Sequence, residues 1–515
     1  MRNRSLFKGD EVLYILLILL CNQLCFGQNT FPYFNTGQTK EGFKVLAESK
    51  DGNSSPGLVT FSEDGIRLVD NTGQFSGVTI DGLTFSTSKG FILEFEFGLD
   101  SGSSKPGDGI AMVLYDGSLD NTDINMGDKG GALGYAHTIK SNGANVKGFS
   151  KGFLGLGLDL YGNYKNIRDE DSETRNGLLK DSDGNYVVLR GPYNSLEQYR
   201  GYPVLFAINT EKNYNYYLNR LSGSREEKKR GFEGQRFEIR GGKLNAKPGE
   251  REYRKAIISL VPGEEFNTST QLNESGFFIS VSIINGVYTS TVIKNYFLPT
   301  LGFIKFTEYT SKNNTVSSTM NINVPASLKM AFTGSTGAAY VRAYIRNIAL
   351  SLPFSPIAND MSVQGVLVDV PSLIKPLYSS FGYNSNVYSV LNPPIKSVLY
   401  LDKKSFRFKK YNPITKQPEL TPDKYVLEEN GVGKFTYDEN TGEVTFTPVN
   451  GFQGDKPYTF YYDIKNIKPI TGTDISTEEY RSRTAAVTLN FVKKGTGVDV
   501  YPSIIVNKGI KNIKK

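Results

Sequence analysis

The feature that most constrains this chain is a hydrophobic period of two. Within residues 90–98, Phe91, Leu93, Phe95 and Phe97 fall on one side and Glu94 and Glu96 on the other. That is the pattern of a strand whose side chains point to alternate faces of a sheet. Between Thr30 and about Leu352, short runs of this kind recur, separated by Gly, Asn, Asp and Ser, as antiparallel strands joined by tight turns require. Further strands are expected over 110–115, 153–161, 186–190, 277–284, 287–294, 327–333 and 343–350. Composition points the same way, with 53 Gly, 31 Tyr and 32 Phe against 6 Met and one His, a balance that favours strands and turns over amphipathic helices. The expected class is all-β, and the strand spacing suits a two-sheet sandwich enlarged by insertions.

The 515 residues exceed what one core holds, since single cores stop growing at about 250–300 residues. Two polar stretches, 163–184 and 220–252, read as solvated and mobile insertions, the second holding the run Arg225-Glu226-Glu227-Lys228-Lys229-Arg230. After Leu352 the prolines 353, 356, 371, 376, 393 and 394 mark a connector over 353–395. From 396 to 494 strands return, at 434–437, 443–447, 458–462 and 485–491, with Asn440-Thr441-Gly442 as a hairpin turn between two of them. The tail 495–515 is basic, with Lys508, Lys511, Lys514 and Lys515.

At the other end, Arg2, Arg4 and Lys8 precede the apolar run from Val12 to Leu20, which is too short to span a bilayer and suits the core of a signal peptide. Residues 1–27 are read as that peptide, with cleavage after Gly27, so the first domain is 28–352 and the mature chain is secreted or displayed at the cell surface. Lipidation is the weaker alternative, because Leu20 and Leu24 stand before Cys21 and Cys25 where a small residue is needed. Those two are the only cysteines, so the chain beyond them has no disulfide, thiolate nucleophile or zinc-thiolate cluster. The single histidine, His137, leaves too few imidazoles for a multi-histidine metal site; it reads as a solvated or packed side chain. With 59 Lys+Arg against 52 Asp+Glu the charges are nearly balanced. A nucleic-acid partner has no support without a basic stripe, and no later segment resembles a membrane span.

Three motifs in the first domain form an ordered set: Gly107-Asp108-Gly109 before the run 110–114, then Gly130-Gly131-Ala132-Leu133-Gly134, then Leu158-Asp159-Leu160-Tyr161-Gly162-Asn163. A fourth, Phe332-Thr333-Gly334-Ser335-Thr336-Gly337, follows near the domain end. Seen singly, Gly-Asp-Gly and Asp-to-Asn segments are ordinary turns. In this order, over residues 30 to 352, the chain resembles the L-type (legume-type) lectins. The resemblance implies a concanavalin-like antiparallel sandwich, a jelly roll, that binds glycans. Sugars need a fixed carboxylate acceptor, a backbone N–H, an amide and an aromatic face. By resemblance Asp108 accepts from two hydroxyls, Gly131 gives its N–H, Asn163 bonds a hydroxyl and Tyr161 stacks beneath the ring.

The resemblance also implies a calcium ion held by the Asp159 carboxylate, the Tyr161 carbonyl, the Asn163 side chain and a second acid, for which Asp169, Asp171, Asp181 and Asp183 are candidates and Asp181 is taken. Calcium favours such oxygen ligands. The neighbouring manganese site departs from the family pattern, with Gly157 where a Glu is required and no histidine to follow, so manganese is expected to be absent. Calcium then binds alone, or internal hydrogen bonds hold the loop instead.

The region 396–494, with Gly442-Glu443-Val444-Thr445-Phe446-Thr447-Pro448 and Gly451-Phe452-Gln453-Gly454, resembles the repeat modules of bacterial fibrillar surface adhesins. It is expected to be a smaller Ig-like sandwich with Phe446 and Phe452 between its sheets. The combined reading is an exported lectin or adhesin, not an enzyme, in oligomers or multivalent display because single sugar sites are weak. A surface adhesin without sugar binding is the alternative. A glycoside hydrolase on the same fold comes third, since it needs two carboxylates flanking one bond and only Glu94 and Glu96 suggest a pair, on a face expected to be solvated.

Overall fold

The computed structural model describes residues 40–493 and the strand Ser503–Val506, except 41, 101–103, 105, 140–144, 166–183, 195–200, 213–231, 268–270, 312–313, 385–387, 390–393, 415–416 and 468–480. The expected signal peptide, both cysteines, Asp181 and the terminal lysines lie outside the described residues. The described elements are strands and three short 3-10 turns, with no α-helix, so the all-β class expected from the period of two is what the chain forms. Two compact units result: Phe31–Phe354 with Ser385–Ile395, and Ser355–Asn384 with Lys396–Asn507.

In the first unit, Gly109–Asp116 lies between Gly152–Asp159 and Ser327–Ser335. That sheet runs on through Tyr186–Arg190 to Val204–Asn209 on one side, and through Gln74–Ile80 and Phe43–Lys50 to Asn53–Ser54 on the other, antiparallel throughout. A second sheet is ordered Tyr288–Pro299, Leu272–Asn285, Arg254–Asn267, Phe91–Asp100, Arg342–Ser351, Gly65–Val69 and Thr60–Ser62. Phe91, Leu93, Phe95 and Phe97 are buried with Ile110, Met112, Leu114, Leu154, Leu156 and Leu158 in one core, and the Phe95 ring meets that of Phe332 edge-on at 5.1 Å. Each such side chain contributes about 1.5–3 kcal/mol relative to exposure.

The first sheet is covered on its outer face too. Ala111, Val113 and Tyr115, which alternate with the core residues, pack with Tyr135, Phe149, Tyr164, Tyr186, Val188 and Tyr202 in a separate buried cluster. The glycines of Gly152–Asp159 make this layer fit. A Cβ on Gly155 would stand 2.3 Å from the Tyr135 ring and one on Gly157 2.2 Å from the Tyr164 ring, so both rings lie flat on bare backbone.

Several expectations are corrected. The face of Glu94 and Glu96 is not open to solvent: Glu94 pairs with Lys255, while Glu96 pairs with Arg346 at 2.8 Å and accepts from the Tyr253 hydroxyl at 2.9 Å. The second insertion is not wholly solvated, because Phe237 and Ile239 enter the core and anchor the 232–252 segment. The span 353–395 is not a connector, since Met361–Leu367 and Ser372–Ile374 are strands of the second unit. Prolines flank these strands rather than interrupt them, which is where a residue lacking an N–H is tolerated. The tail is partly strand: Ser503–Val506 pairs antiparallel with residues 361–364.

In the second unit a six-stranded sheet is ordered Gln417–Leu420, Leu401–Asn412, Tyr458–Asn466, Ala485–Val492, Met361–Leu367 and Ser503–Val506. A four-stranded sheet runs Ser372–Ile374, Glu443–Pro448, Gly433–Asp438 and Val426–Glu429. Asn440-Thr441-Gly442 forms the expected turn, with Gly442 at φ 80° and its N–H on the Asp438 carbonyl. Phe446 is buried in the core and Phe452 packs against it. Within this unit the fully buried Asp463 carboxylate meets Arg407, Lys409 and Arg481 at 2.6–2.7 Å.

Candidate functional site

Register brings the motifs of the first unit together. In the central strand, Gly109 is paired with Asp159 on one side and Ser335 on the other. The first, third and fourth motifs therefore end or begin on one row of the sheet, and their loops leave from the same rim. Gly109 has φ 148°, and a Cβ there would stand 2.1 Å from the Leu158 carbonyl oxygen, so only glycine allows this approach.

Backbone bonds lock the first motif to its neighbours. The Asp108 N–H donates to the Ser335 carbonyl at 3.0 Å, and the Asp108 carbonyl accepts from Leu160 at 2.9 Å and Tyr161 at 3.3 Å. The Gly107–Asp108 peptide is cis. The Asp108 side chain is 7% exposed, and its Oδ2 lies 3.6 Å from where a Gly337 Cβ would be. Gly130 joins the second motif to the fourth by donating its N–H to Ser335 Oγ at 2.7 Å, and the Thr333 hydroxyl donates to the Leu133 carbonyl. Gly131 faces the third motif, since a Cβ on it would stand 2.6 Å from the Asn163 Cβ. Tyr161, half-buried, packs its ring on Gly107, 3.0 Å from the Cβ position there. Asp108, Gly131, Tyr161 and Asn163 thus lie on loops of one cluster.

The Asp159 turn is arranged differently from a metal cage. Asp159 is buried, and its Oδ1 accepts from the Gly162 N–H at 2.7 Å and its Oδ2 from the Tyr164 N–H at 2.8 Å. The Lys165 N–H also bonds this carboxylate. Burial pushes the carboxyl up, and the Lys165 ammonium and the three amides pull it back. Lys165 is itself 1% exposed, with Nζ donating to the Gly162 carbonyl at 2.7 Å and sitting 3.9 Å from the Tyr186 ring centre. Calcium requires six to eight oxygens at about 2.3–2.6 Å; here the expected ligand Asp159 faces nitrogen donors, and the described residues of the turn do not fit the ion. Among the described residues no group of three or more His, Cys, Asp and Glu is placed to hold a metal. The position expected to have lost a manganese ligand, Gly157, is filled by the Tyr164 ring.

Lys165 and Arg190 are the buried cations beside this turn that the motifs did not include. Arg190 is buried, donating from Nε and Nη2 to the Tyr164 carbonyl at 3.0 and 2.9 Å and from Nη1 to the Tyr202 carbonyl at 2.7 Å. The available signal was a lysine two residues past Asn163, inside the same turn. His137 is buried, at 8% exposure. A separate cleft of about 740 Å³ is lined by Arg236, Arg240, Arg251 and Arg254 together with Glu238 and Glu252; none of the motif residues lines it, and its mixed charges suit no single ligand class.

No family model matches the chain, and no curated protein matches it. Among solved structures, it is similar to a lectin from Bauhinia forficata in complex with GalNAc, at 11% identity over 62% of this chain and 95% of that one, with a TM-score of 0.29. The exoplasmic/lumenal domain of VIP36 in a Ca2+/Man3GlcNAc-bound form is 10% identical over 63% of this chain and 90% of that one, with a TM-score of 0.28. Basic winged bean lectin with Tn-antigen is 12% identical over 62% and 97%, with a TM-score of 0.27.

Proposed function

We propose that the first unit is a glycan-binding module whose site is the rim formed by Asp108, Gly131, Tyr161 and Asn163. The observation that supports this most is the row Asp159–Gly109–Ser335, which draws sequence-distant loops into one cluster. Asp108 supplies an acceptor for sugar hydroxyls, the Gly131 segment a close-approach backbone, Asn163 an amide and Tyr161 an apolar ring face for sugar C–H groups. Binding is reversible and no bond is broken in this reading; the acid pair Glu94 and Glu96 is engaged by Lys255, Arg346 and Tyr253.

The chain is exported in this reading, after cleavage near Gly27, and acts at the cell surface or outside the cell. The second unit, Ser355–Asn384 with Lys396–Asn507, is a spacer of the kind that the adhesin-repeat resemblance of 396–494 implies. Each sugar site is weak because hydroxyls exchange water for protein hydrogen bonds at small net gain, so oligomers or arrayed copies supply avidity. The calcium that the resemblance implies would have to enter a turn whose carboxylate already faces Lys165 and three amides.

A glycan array tests the reading. The full chain is expected to bind a defined set of glycans, and Asp108→Ala and Asn163→Ala to lose that binding with nearly unchanged thermal transitions. Binding that persists in both variants rejects this site, and absence of binding to any glycan favours the adhesin without sugar recognition.

A further inference from the structure

We propose that the Lys165 ammonium closes the Asp159–Lys165 turn in place of a divalent cation, so that the rim keeps its shape without calcium. Its consequence for binding rests on the glycan reading above; the closure itself does not.

A buried carboxylate needs a countercharge and donors, or it is neutralised. Asp159 has both within its own turn: Gly162, Tyr164 and Lys165 amides on its oxygens, and the Lys165 side chain as the cation. These groups are donors only, so they serve the ionised carboxylate. Lysine is almost never fully buried unless paired, and Lys165 is 1% exposed. Its ammonium is further held by the Gly162 carbonyl at 2.7 Å and the Tyr186 ring at 3.9 Å, a set that gives a cation partners on several sides. For an ion to bind, the Lys165 ammonium would have to leave the turn, exposing the Tyr186 ring surface it covers.

The surroundings fix the same turn from outside. Arg190 grips the Tyr164 carbonyl with two N–H groups, and the Tyr164 ring fills the space over Gly157. Asn163, between Tyr164 and the Gly162 that bonds Asp159, is thereby set against Gly131. An ammonium tethered six residues from its carboxylate is always present at high local concentration, whereas a free ion must be bound from solution.

Amide hydrogen exchange on the full chain, read in the peptide covering 159–165, tests this with no sugar present. Protection there is expected to be the same in excess EDTA and in millimolar calcium, with no calcium retained after dialysis. Lys165→Met should lower the thermal transition by on the order of 10 °C and strip protection from that peptide. Protection that falls with EDTA and returns with calcium overturns the proposal, as does a Lys165→Met chain with native protection. Should Lys165→Met fail to fold, the wild-type EDTA comparison and calcium content still decide. A calcium-independent turn in a chain that binds no glycan would leave the closure standing and remove only the sugar reading.

Discussion

Gly131 and Asn163 touch across two loops that are 32 residues apart in the chain: a Cβ on Gly131 would stand 2.6 Å from the Asn163 Cβ. The neighbouring atom is the base of a side chain, not its flexible end, so a methyl group there must push the Asn163 backbone away. Gly131 is not among the positive-φ glycines, and alanine costs nothing in backbone conformation. Gly131→Ala is therefore expected to weaken glycan binding by about tenfold or more, equivalent to about 1.4 kcal/mol, and to cost about 1–3 kcal/mol of stability by overpacking. Titration of an array-positive glycan by calorimetry measures it, and an unchanged affinity would separate Gly131 from the site.

The outer aromatic layer predicts a stabilising change. The Tyr164 hydroxyl is buried and has no hydrogen-bond partner among the described residues, and burial raises its pKa strongly, so it sits there as an unsatisfied neutral phenol. Such a group costs about 1–3 kcal/mol. Tyr164→Phe should keep the ring over Gly157 and be as stable as wild type or more so. Gly157→Ala should do the reverse, because its methyl would stand 2.2 Å from that ring and overpacking costs about 1–3 kcal/mol. Denaturant midpoints of the two variants moving in the same direction would contradict this packing.

That layer also marks where the sequence stopped being legible. The alternation of Phe91 to Phe97 announced its strand because one face is apolar and the other acidic. The strands 109–116 and 152–159 are buried on both faces, so period two says nothing about what covers the second face. The motif residues were recognisable as an ordered set, yet their meeting depends on strand register, which no local pattern states. Lys165 was invisible for a different reason: in a charged stretch a lysine reads as solvated, and only the burial of Asp159 beside it shows otherwise. The 361–374 strands were hidden by flanking prolines, which punctuate a chain without saying whether a strand lies between them.

The second unit has its own acid sensitivity. Burial alone would push the Asp463 carboxyl up, but Lys409, Arg407 and Arg481 outweigh it and hold the group below its ordinary value of 3.8. A depressed folded pKa means that its contribution to stability is complete above the unfolded value and is lost as pH falls through the folded one. The second unit should thus lose stability on acidification below about pH 4. Asp463→Asn should destabilise it by about 3–5 kcal/mol at neutral pH by leaving buried cations unmatched, and should flatten that acid dependence. Urea unfolding at several pH values checks both, and an acid slope identical in the variant would assign the sensitivity elsewhere.

Glu96 distinguishes a structural acid from a catalytic one. Its carboxylate joins Arg346 on the adjacent strand to Tyr253 just before another, and Arg346 in turn donates to the Leu244 and Ala246 carbonyls. Removing the carboxylate leaves a buried guanidinium with carbonyl partners but no countercharge. Hydrogen bonds to charged groups are worth about 1.5–3 kcal/mol each, so Glu96→Ala should lower the stability of the first unit by at least that much. A catalytic carboxylate in a hydrolase instead stands beside a second acid across the scissile bond, and its loss abolishes turnover while often sparing stability. Reducing-end release from a broad glycan panel is accordingly expected to be absent in the wild type. Turnover in the wild type that disappears in a normally stable Glu96→Ala chain would make this unit a hydrolase and the rim at Asp108 its accessory.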